Sequence, residues 1–227
     1  MGMKGKIALG AVVGIVVIGA VSANSGDGDS GSDGSGKSSS ASGQTKSGGE
    51  KEPAKAAEEK KAAFDGDGEF QVGTDVKPGT YRTTGNTDGM CYWERAKDAS
   101  GEMDSLLAND NVTGTSYVTV KATDKLFKSS DCNDWEAVGT KAEGGSPATG
   151  ASGDAGMLRV GVDIAPGTYR SAGNEDDMCY WERTKDAEHG LDSIIANNNV
   201  TGSAVVTISA SDAYFKTTGC SDWKKSG

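Results

Sequence analysis

The chain has 227 residues and a formal net charge of −10. An acidic chain repels the phosphates of a nucleic acid, so its charge argues against a nucleic acid as partner. The sequence holds 34 glycines and long serine runs, and such stretches bury too little apolar surface to order themselves. The rest of the chain is predicted to form two small domains rather than one large domain.

Residues 1–23 predict export. Lys4 and Lys6 precede an uncharged apolar run from Ile7 to Val21, and small residues up to Ala23 suit a signal peptidase. As a helix this run spans about 22 Å, less than the hydrocarbon core of ~30 Å, which favours a cleaved signal peptide. An uncleaved membrane anchor is the alternative, because three glycines in the run form a small-residue face. Either segment places the rest of the chain outside the cytoplasm.

Two segments are predicted to be linkers. Residues 24–63 are of low complexity: they begin rich in Gly, Ser and Asp, and continue with Glu, Lys and Ala but no apolar stripe. Residues 139–156 form a second flexible linker, rich in Gly, Ala and Ser. With this linker, the domains on either side are independent unless an interface forms between them.

The chain contains an internal duplication. Residues 70–135 align with residues 158–223 without a gap, at a constant offset of 88, and 37 of the 66 aligned positions are identical. The predicted domains are therefore a first β repeat over 64–138 and a second over 157–227.

The pattern inside each repeat is that of β-strands. Met90–Arg95 is rich in aromatic residues, Tyr117–Val120 is apolar, and Pro-Gly and Thr-Gly pairs mark turns. Ser105–Ala108 is also interpreted as a strand. Five to six short strands per repeat predict an all-β protein with two tandem small disulfide-stapled β-sandwich or barrel domains, after an N-terminal apolar helix and a disordered linker.

The four cysteines are predicted to form two disulfides. Cys91 and Cys132 are separated by 41 positions, and so are Cys179 and Cys220. Four cysteines allow three pairings, and equal spacing in duplicated units favours Cys91–Cys132 with Cys179–Cys220. Each closed loop is worth about 4 kcal/mol in the chain-entropy model. A redox or metal pair is less favoured, because the short CxxC spacing of such sites is missing.

The sequence offers little for catalysis, so no catalytic residue, metal or cofactor is predicted. Residues 31–38 match the Walker A expression, but they lie in a Gly/Ser stalk rather than between a strand and a helix. His189 is the single histidine and aligns with Gly101, so it is a poor candidate for a general base. Several carboxylates occur in both copies, but small stapled domains rarely provide a deep cleft.

The candidate binding patch consists of Tyr92, Glu94, Tyr180 and Glu182. In a strand these side chains alternate with those of the cysteine and tryptophan neighbours, so they face solvent if the cysteine and tryptophan face the core. An exposed tyrosine beside a carboxylate suits contact with a protein or a glycan.

The alternative interpretation of this patch is purely structural. The tyrosine then packs under a loop, and Glu94 pairs with Lys97 or Arg82. Arg95 would point inward beside the tryptophan and would need a carboxylate, for which Asp75 and Asp104 are the candidates.

Four strings of the second copy resemble a known domain. Residues 160–170 (VGVDIAPGTYR), residues 179–183 (CYWER), residues 195–197 (IAN) and Gly219-Cys220 before Trp223 resemble a small secreted or membrane-anchored domain common in actinobacteria. The resemblance covers both repeats and implies export behind a signal segment and a Ser/Gly-rich linker. It implies no enzymatic activity and supplies no ligand.

The expected function is that of a non-catalytic extracytoplasmic binding or interaction module of the cell envelope or the secretome. Its expected partner is a protein or a cell-wall glycan, with membrane contact only through residues 7–23 if they are uncleaved. One alternative is a secreted inhibitor or effector of another enzyme, acting through loops Asp98–Asp104 and Asp186–Asp192. Another is a subunit of an extracellular structural assembly, in which strand edges pair between subunits.

Overall fold

The computed structural model describes residues 62–139 and 145–226, which belong to one compact unit. The predicted signal peptide or anchor and nearly all of the first linker lie outside the described residues. The described part is all-β apart from two short 3₁₀ turns, and none of its helical segments is long and apolar enough to cross a membrane. The strands are β1 (Gly68–Gln71), β2 (Gly79–Ala96), β3 (Leu106–Val120), β4 (Leu126–Ser130), β5 (Glu136–Ala137), β6 (Gly150–Ala151), β7 (Gly156–Arg159), β8 (Gly167–Thr184), β9 (Ile194–Ile208), β10 (Tyr214–Thr218) and β11 (Trp223–Lys225).

Among the described residues the first repeat has five strands and the second has six, as the sequence pattern predicts, but two strands in each repeat are longer than predicted. One strand of 18 residues, β2, contains both the segment after the Pro-Gly turn and the aromatic segment. Its pairing with β3 shifts register between Thr83 and Cys91, where Gly85 and Gly89 have positive φ. Bulges at these glycines bend the strand without ending it. The strand predicted at 105–108 begins at Leu106, because Ser105 closes the preceding 3₁₀ turn.

The two repeats have the same strand order. In the first repeat the order is β1-β4-β2-β3, and in the second it is β7-β10-β8-β9, with antiparallel pairing in both. In the second repeat β11 pairs with β8 and with β6, so the predicted linker over 139–156 contains a strand of the second sheet. A single parallel bridge between Thr115 and Gly156 connects β3 to β7.

Aromatic side chains form the same core in both repeats. Phe127 meets Trp135 edge to face at 5.3 Å, and Phe215 meets Trp223 in the same way at 5.4 Å. The indole N–H of each of these two tryptophans is hydrogen-bonded within the core, since Trp135 donates to Ser129 and Trp223 donates to Thr217. A buried tryptophan contributes several kcal/mol to so small a unit.

Two disulfides join β2 to the end of β4 and β8 to the end of β10, as the spacing predicts: Cys91–Cys132 and Cys179–Cys220. In each repeat they lie beside the aromatic core, where Cys91 and Cys179 are fully buried. All four cysteines are therefore oxidised, which fits a location outside the cytoplasm.

An arginine–aspartate pair closes each sheet at the end away from the disulfide, and the aspartate is buried in both repeats, while Arg95 is buried and Arg183 is partly exposed. Arg95 donates twice to Asp124, at 2.7 and 3.1 Å, and Arg183 donates twice to Asp212, at 2.6 and 2.9 Å. The predicted partners of Arg95 were wrong. Asp75 instead accepts a backbone N–H from Gln71, and the carboxylate of Asp104 binds Lys97.

Candidate functional site

The tyrosine and glutamate of the candidate patch are hydrogen-bonded to each other in both repeats. Tyr92 donates to Glu94 at 2.7 Å, and Tyr180 donates to Glu182 at 2.6 Å. Burial and the adjacent carboxylate raise the pKa of both tyrosines to about 12, so both hydroxyls stay protonated donors. Neither of the glutamate partners proposed from sequence is found, because Lys97 binds Asp104 and Arg82 binds Glu136.

A cavity of about 170 Å³ opens beside this pair in the first repeat, and we call it the first pocket. Its wall includes Tyr92 and Glu94, and Lys128 lies 3.7 Å from Glu69 within it. Met103 stands at its rim with 86% of its surface exposed. The first pocket thus combines a carboxylate, an ammonium group and an exposed apolar side chain.

The first pocket is bounded by a loop held in one shape by Asp98. Its carboxylate accepts hydrogen bonds from the Ser105 hydroxyl at 2.8 Å and from the Ser100 backbone N–H at 3.0 Å. These hydrogen bonds lower the pKa of Asp98 to about 2, and those from Ser100 contribute more than the one from Ser105. In the second repeat Asp186 accepts from Ser193 and from the Glu188 backbone in the same way, so the two loops share one conformation.

The second repeat has a cavity of the same size in the corresponding place, which we call the second pocket. Two residues of the first repeat, Asn109 and Asp110, contribute to its wall. The Lys216 ammonium binds the Asp110 carboxylate at 2.7 Å, and both side chains are mostly buried. The first repeat therefore forms part of the wall of the second pocket, whereas the wall around Lys128, the counterpart of Lys216, comes from the first repeat alone.

The loop of the second repeat packs onto the first repeat. The His189 ring meets Trp93 edge to face at 4.7 Å, and its Nε2 lies 2.7 Å from the Tyr117 carbonyl oxygen. Since a carbonyl oxygen only accepts, Nε2 carries the proton. His189 has a φ of +58°, and Gly101 in the matching loop has +72°, so the same backbone turn presents an imidazole in one copy and none in the other.

Polar contacts surround this histidine. The Arg95 guanidinium donates to the Glu188 carbonyl at 2.8 Å, and Lys121 binds the Glu188 carboxylate at 2.7 Å. The Tyr117 hydroxyl donates to Asp163 at 2.7 Å. Burial and this carboxylate raise the pKa of Tyr117 well above its ordinary value.

An apolar cluster completes the contact between the repeats, consisting of Tyr117, Met157, Ala187 and Tyr214. Sequence reasoning missed this interface because it treated His189 as an isolated loop residue. A signal was present: Tyr117, Met157 and His189 all differ from their counterparts, which are Val205, Glu69 and Gly101.

Among the described residues, no group of three or more His, Cys, Asp or Glu side chains is arranged to hold a metal ion. Their carboxylates instead accept hydrogen bonds in turns or form ion pairs, as Asp98 and Asp124 do.

Known proteins match the chain in the same two places. The family model of the Rv1352-like extracellular domain matches residues 62–136 and again residues 149–224. The chain belongs to this family. Membership places the two repeats outside the cytoplasm, in agreement with the disulfides.

Two relatives that match the chain come from mycobacteria. Uncharacterized protein Rv1352 of Mycobacterium tuberculosis (strain ATCC 25618 / H37Rv) and Uncharacterized protein Mb1387 of Mycobacterium bovis are each 32% identical to the chain over 84 residues. Each alignment covers 32% of this chain and 68% of the relative. No solved structure matches the chain.

Proposed function

We propose that the chain is a non-catalytic extracytoplasmic binding module whose first pocket receives a surface group of a protein or a cell-wall glycan. The observation that supports this is the open first pocket beside the Tyr92–Glu94 pair. Its counterpart in the second repeat is already lined by Asn109 and Asp110. The first pocket is therefore formed by one repeat alone, while the wall of the second pocket includes the Lys216–Asp110 ion pair that joins the two repeats.

Exposed apolar side chains support a binding role. Met103 in the first repeat and Leu191 at the same place in the second are 86% and 91% exposed. Leu107 and Ile195 form a second matching pair, each 46% exposed. Burial of such side chains on binding releases about 25 cal/mol per Å² of apolar surface. Of these side chains, Met103 lies at the rim of the first pocket, so it is the one that a ligand in that pocket would bury.

The test uses the full labelled chain and the envelope fraction of the producing organism. We expect Met103→Asp to lower the bound fraction at least tenfold at a fixed protein concentration. The matched substitution Leu191→Asp, at the corresponding position of the second repeat, leaves binding within twofold of the unmodified chain. Equal losses in the two variants, or none in either, would contradict a site at the first pocket.

A second variant examines the polar side of the same pocket. Tyr92→Phe removes the hydroxyl that donates to Glu94 and leaves the ring in place. Without this hydrogen bond the Glu94 carboxylate is free to bind a different group of the ligand. We therefore expect the salt dependence of binding to change. Tyr180→Phe is the control in the other repeat.

Inhibition of an extracellular hydrolase is a second candidate function, favoured by the loop conformation. Asp98 fixes the loop that presents Met103, and Asp186 fixes the loop that presents Leu191. A rigid loop with an exposed apolar tip resembles the part of an inhibitor that enters an enzyme cleft. Hydrolase activity of the envelope fraction should then fall on adding the chain and recover when Met103→Asp is used instead.

We propose further that the chain is either released after Ala23 or held at the outer membrane face by residues 7–23. The intact mass of the exported protein separates these forms. Release removes 23 residues. Retention in the membrane fraction with the full mass would favour the anchor.

A further inference from the structure

The two repeats differ in what covers their matching sheet edges. On β3, the Thr115 N–H donates to the Ala155 carbonyl at 2.9 Å and the Thr119 N–H donates to the Ala187 carbonyl at 2.7 Å. Between them, the Tyr117 carbonyl accepts from His189. Every second residue of this stretch of β3 therefore uses its outward backbone group to hold the second repeat.

The equivalent edge of β9 is open. Its counterparts of the three β3 residues are Ser203, Val205 and Thr207, and all three are exposed. Within the described ranges, β9 pairs with β8 alone. Val205 is 62% exposed, whereas Tyr117 is 2% exposed. A strand edge of this kind offers unpaired N–H and C=O groups to an incoming chain.

The side chains beside this open edge differ in charge from their counterparts. In the first repeat, Arg82 lies opposite Tyr117 on one side and Glu136 on the other, and it binds Glu136 at 2.8 Å. In the second repeat, Arg170 lies opposite Val205 and Lys224. An ion pair has thus been replaced by two cations.

Two like charges opposite each other on neighbouring strands are destabilising unless an anion lies between them. Arg170 is exposed and donates to the Ser203 hydroxyl at 3.3 Å, and no ion pair to Arg170 or Lys224 exists among the described residues. A groove of about 280 Å³ runs past Arg170, Lys224 and Lys225, with Asp222 as the one carboxylate in its wall. This cationic groove stands out on a chain of net charge −10.

We propose that the edge of β9 and the adjacent row of Arg170 and Lys224 bind an extended acidic segment of a partner protein. The segment adds to the sheet as a further strand beside β9, and its carboxylates reach across Val205 to the Arg170 guanidinium, which Lys224 leaves without an ion pair. The first repeat shows the same principle within the chain, because its covered edge receives the Asp163 carboxylate on the Tyr117 hydroxyl. The proposal concerns a surface of the second repeat and does not depend on the first pocket.

A second copy of this chain does not match the open edge. The contacts that cover β3 need Tyr117, Asp110 and His189, whose counterparts in such a docking are Val205, Asn198 and Gly101. Each substitution removes the interacting group. The contact between the repeats therefore cannot propagate from one molecule to the next through β9.

The experiment measures fluorescence anisotropy of a labelled ten-residue peptide of alternating Thr and Asp, titrated with the full chain at low ionic strength. We expect saturable binding that Lys224→Glu weakens at least tenfold. This substitution restores the charge pattern of Arg82 and Glu136, so the unfolding midpoint should not fall. Lys77→Glu makes the same change in net charge at an exposed residue of the first repeat, and it should alter binding less than twofold.

Two further measurements test whether the ligand pairs as a strand and whether it must be a peptide. A peptide N-methylated at every residue cannot donate backbone hydrogen bonds to a strand edge and should bind at least tenfold more weakly than the unmodified peptide. Inorganic polyphosphate tests an anionic polymer as the alternative ligand. If it bound while the peptide did not, or if both peptides bound equally, the proposal would be overturned. Arg170→Gln tests the same row should Lys224→Glu lower the unfolding midpoint.

Discussion

The two repeats share their framework and differ where they touch. The disulfide, the tryptophan–phenylalanine edge contact and the double arginine–aspartate hydrogen bond occur in both at matching positions. By contrast, Tyr117, Met157 and His189, which form the contact between the repeats, have no like residue in the other copy. Identical residues thus preserve the fold of each unit, and divergent residues join the two units.

The same difference explains why the edge of β3 is covered by the second repeat, whereas the matching edge of β9 is exposed. One side chain, Tyr117, packs against Tyr214 at 5.0 Å and hydrogen-bonds Asp163, while Val205 at the same place lies exposed. A contact between unlike surfaces leaves one surface of each kind unused. In this tandem the unused surfaces are the first pocket and the edge of β9.

Removal of a disulfide should give the largest loss of stability in either repeat. Cys179→Ala with Cys220→Ala opens a loop of 41 residues and should lower the free energy of unfolding by about 4 kcal/mol. Cys91→Ala with Cys132→Ala opens an equal loop and should cost about the same. Calorimetry on the two double variants measures both losses. A loss below about 1 kcal/mol in either repeat would show that its disulfide adds little to the stability provided by its aromatic core.

Tyr117→Val should break the contact between the repeats by making the first repeat resemble the second. It removes the ring contact with Tyr214 and the hydrogen bond to Asp163, which together contribute about 2–3 kcal/mol. Urea unfolding monitored by tryptophan fluorescence measures the loss. The reverse substitution, Val205→Tyr, lies on an exposed position and should change stability by no more than about 0.5 kcal/mol.

Acidic pH should weaken the contact through His189. Burial lowers the pKa of His189 below its ordinary value of 6.5, and Lys216 adds to this, whereas Asp110, the Tyr117 carbonyl and Glu182 oppose it. The unfolded chain therefore binds the proton more readily than the folded chain. Stability should be full above pH 6.5 and decline below it, by at most about 1.4 kcal/mol per pH unit. Unfolding midpoints between pH 5 and 7.5 should show this slope, and His189→Gln should remove it.

Ala204→Ser should produce a small effect, and it should be a gain. Trp93 donates its indole N–H to the Ser116 hydroxyl at 3.2 Å, whereas the buried indole N–H of Trp181 has no partner among the described residues. Ala204 occupies the place of Ser116. A hydroxyl there should raise the free energy of unfolding by about 1 kcal/mol. No gain in the urea midpoint would mean that the two tryptophans point differently relative to β9 and β3.

The all-β class, the duplicated unit and the disulfide pairing followed from the sequence because each depends on spacing. Equal separations of 41 between cysteines survive any error in the assigned strands. Strand lengths were harder to predict, because bulges near Gly85 and Gly89 keep one strand continuous through residues typical of a turn.

The partner of Arg95 and the interface could not be predicted, because both depend on register. Asp124 is 29 residues from Arg95 and reaches it only when β2 and β4 pair with Arg95 opposite Phe127. His189 contacts Trp93 only after the second repeat docks, and no local pattern encodes that docking. The candidate patch could be predicted only in part: its Tyr–Glu spacing is visible in the sequence, but the pocket beside it is not.

The left-handed turn shared by His189 and Gly101 has a consequence for how such a tandem is assembled in the genome. A gene with the two repeats in the opposite order would encode the same residues, yet it would present a glycine where the imidazole is needed. Each unit would fold, and the pair would remain unjoined. The sequence order of the copies is therefore itself under constraint, and exchanging or shuffling the two modules would separate them.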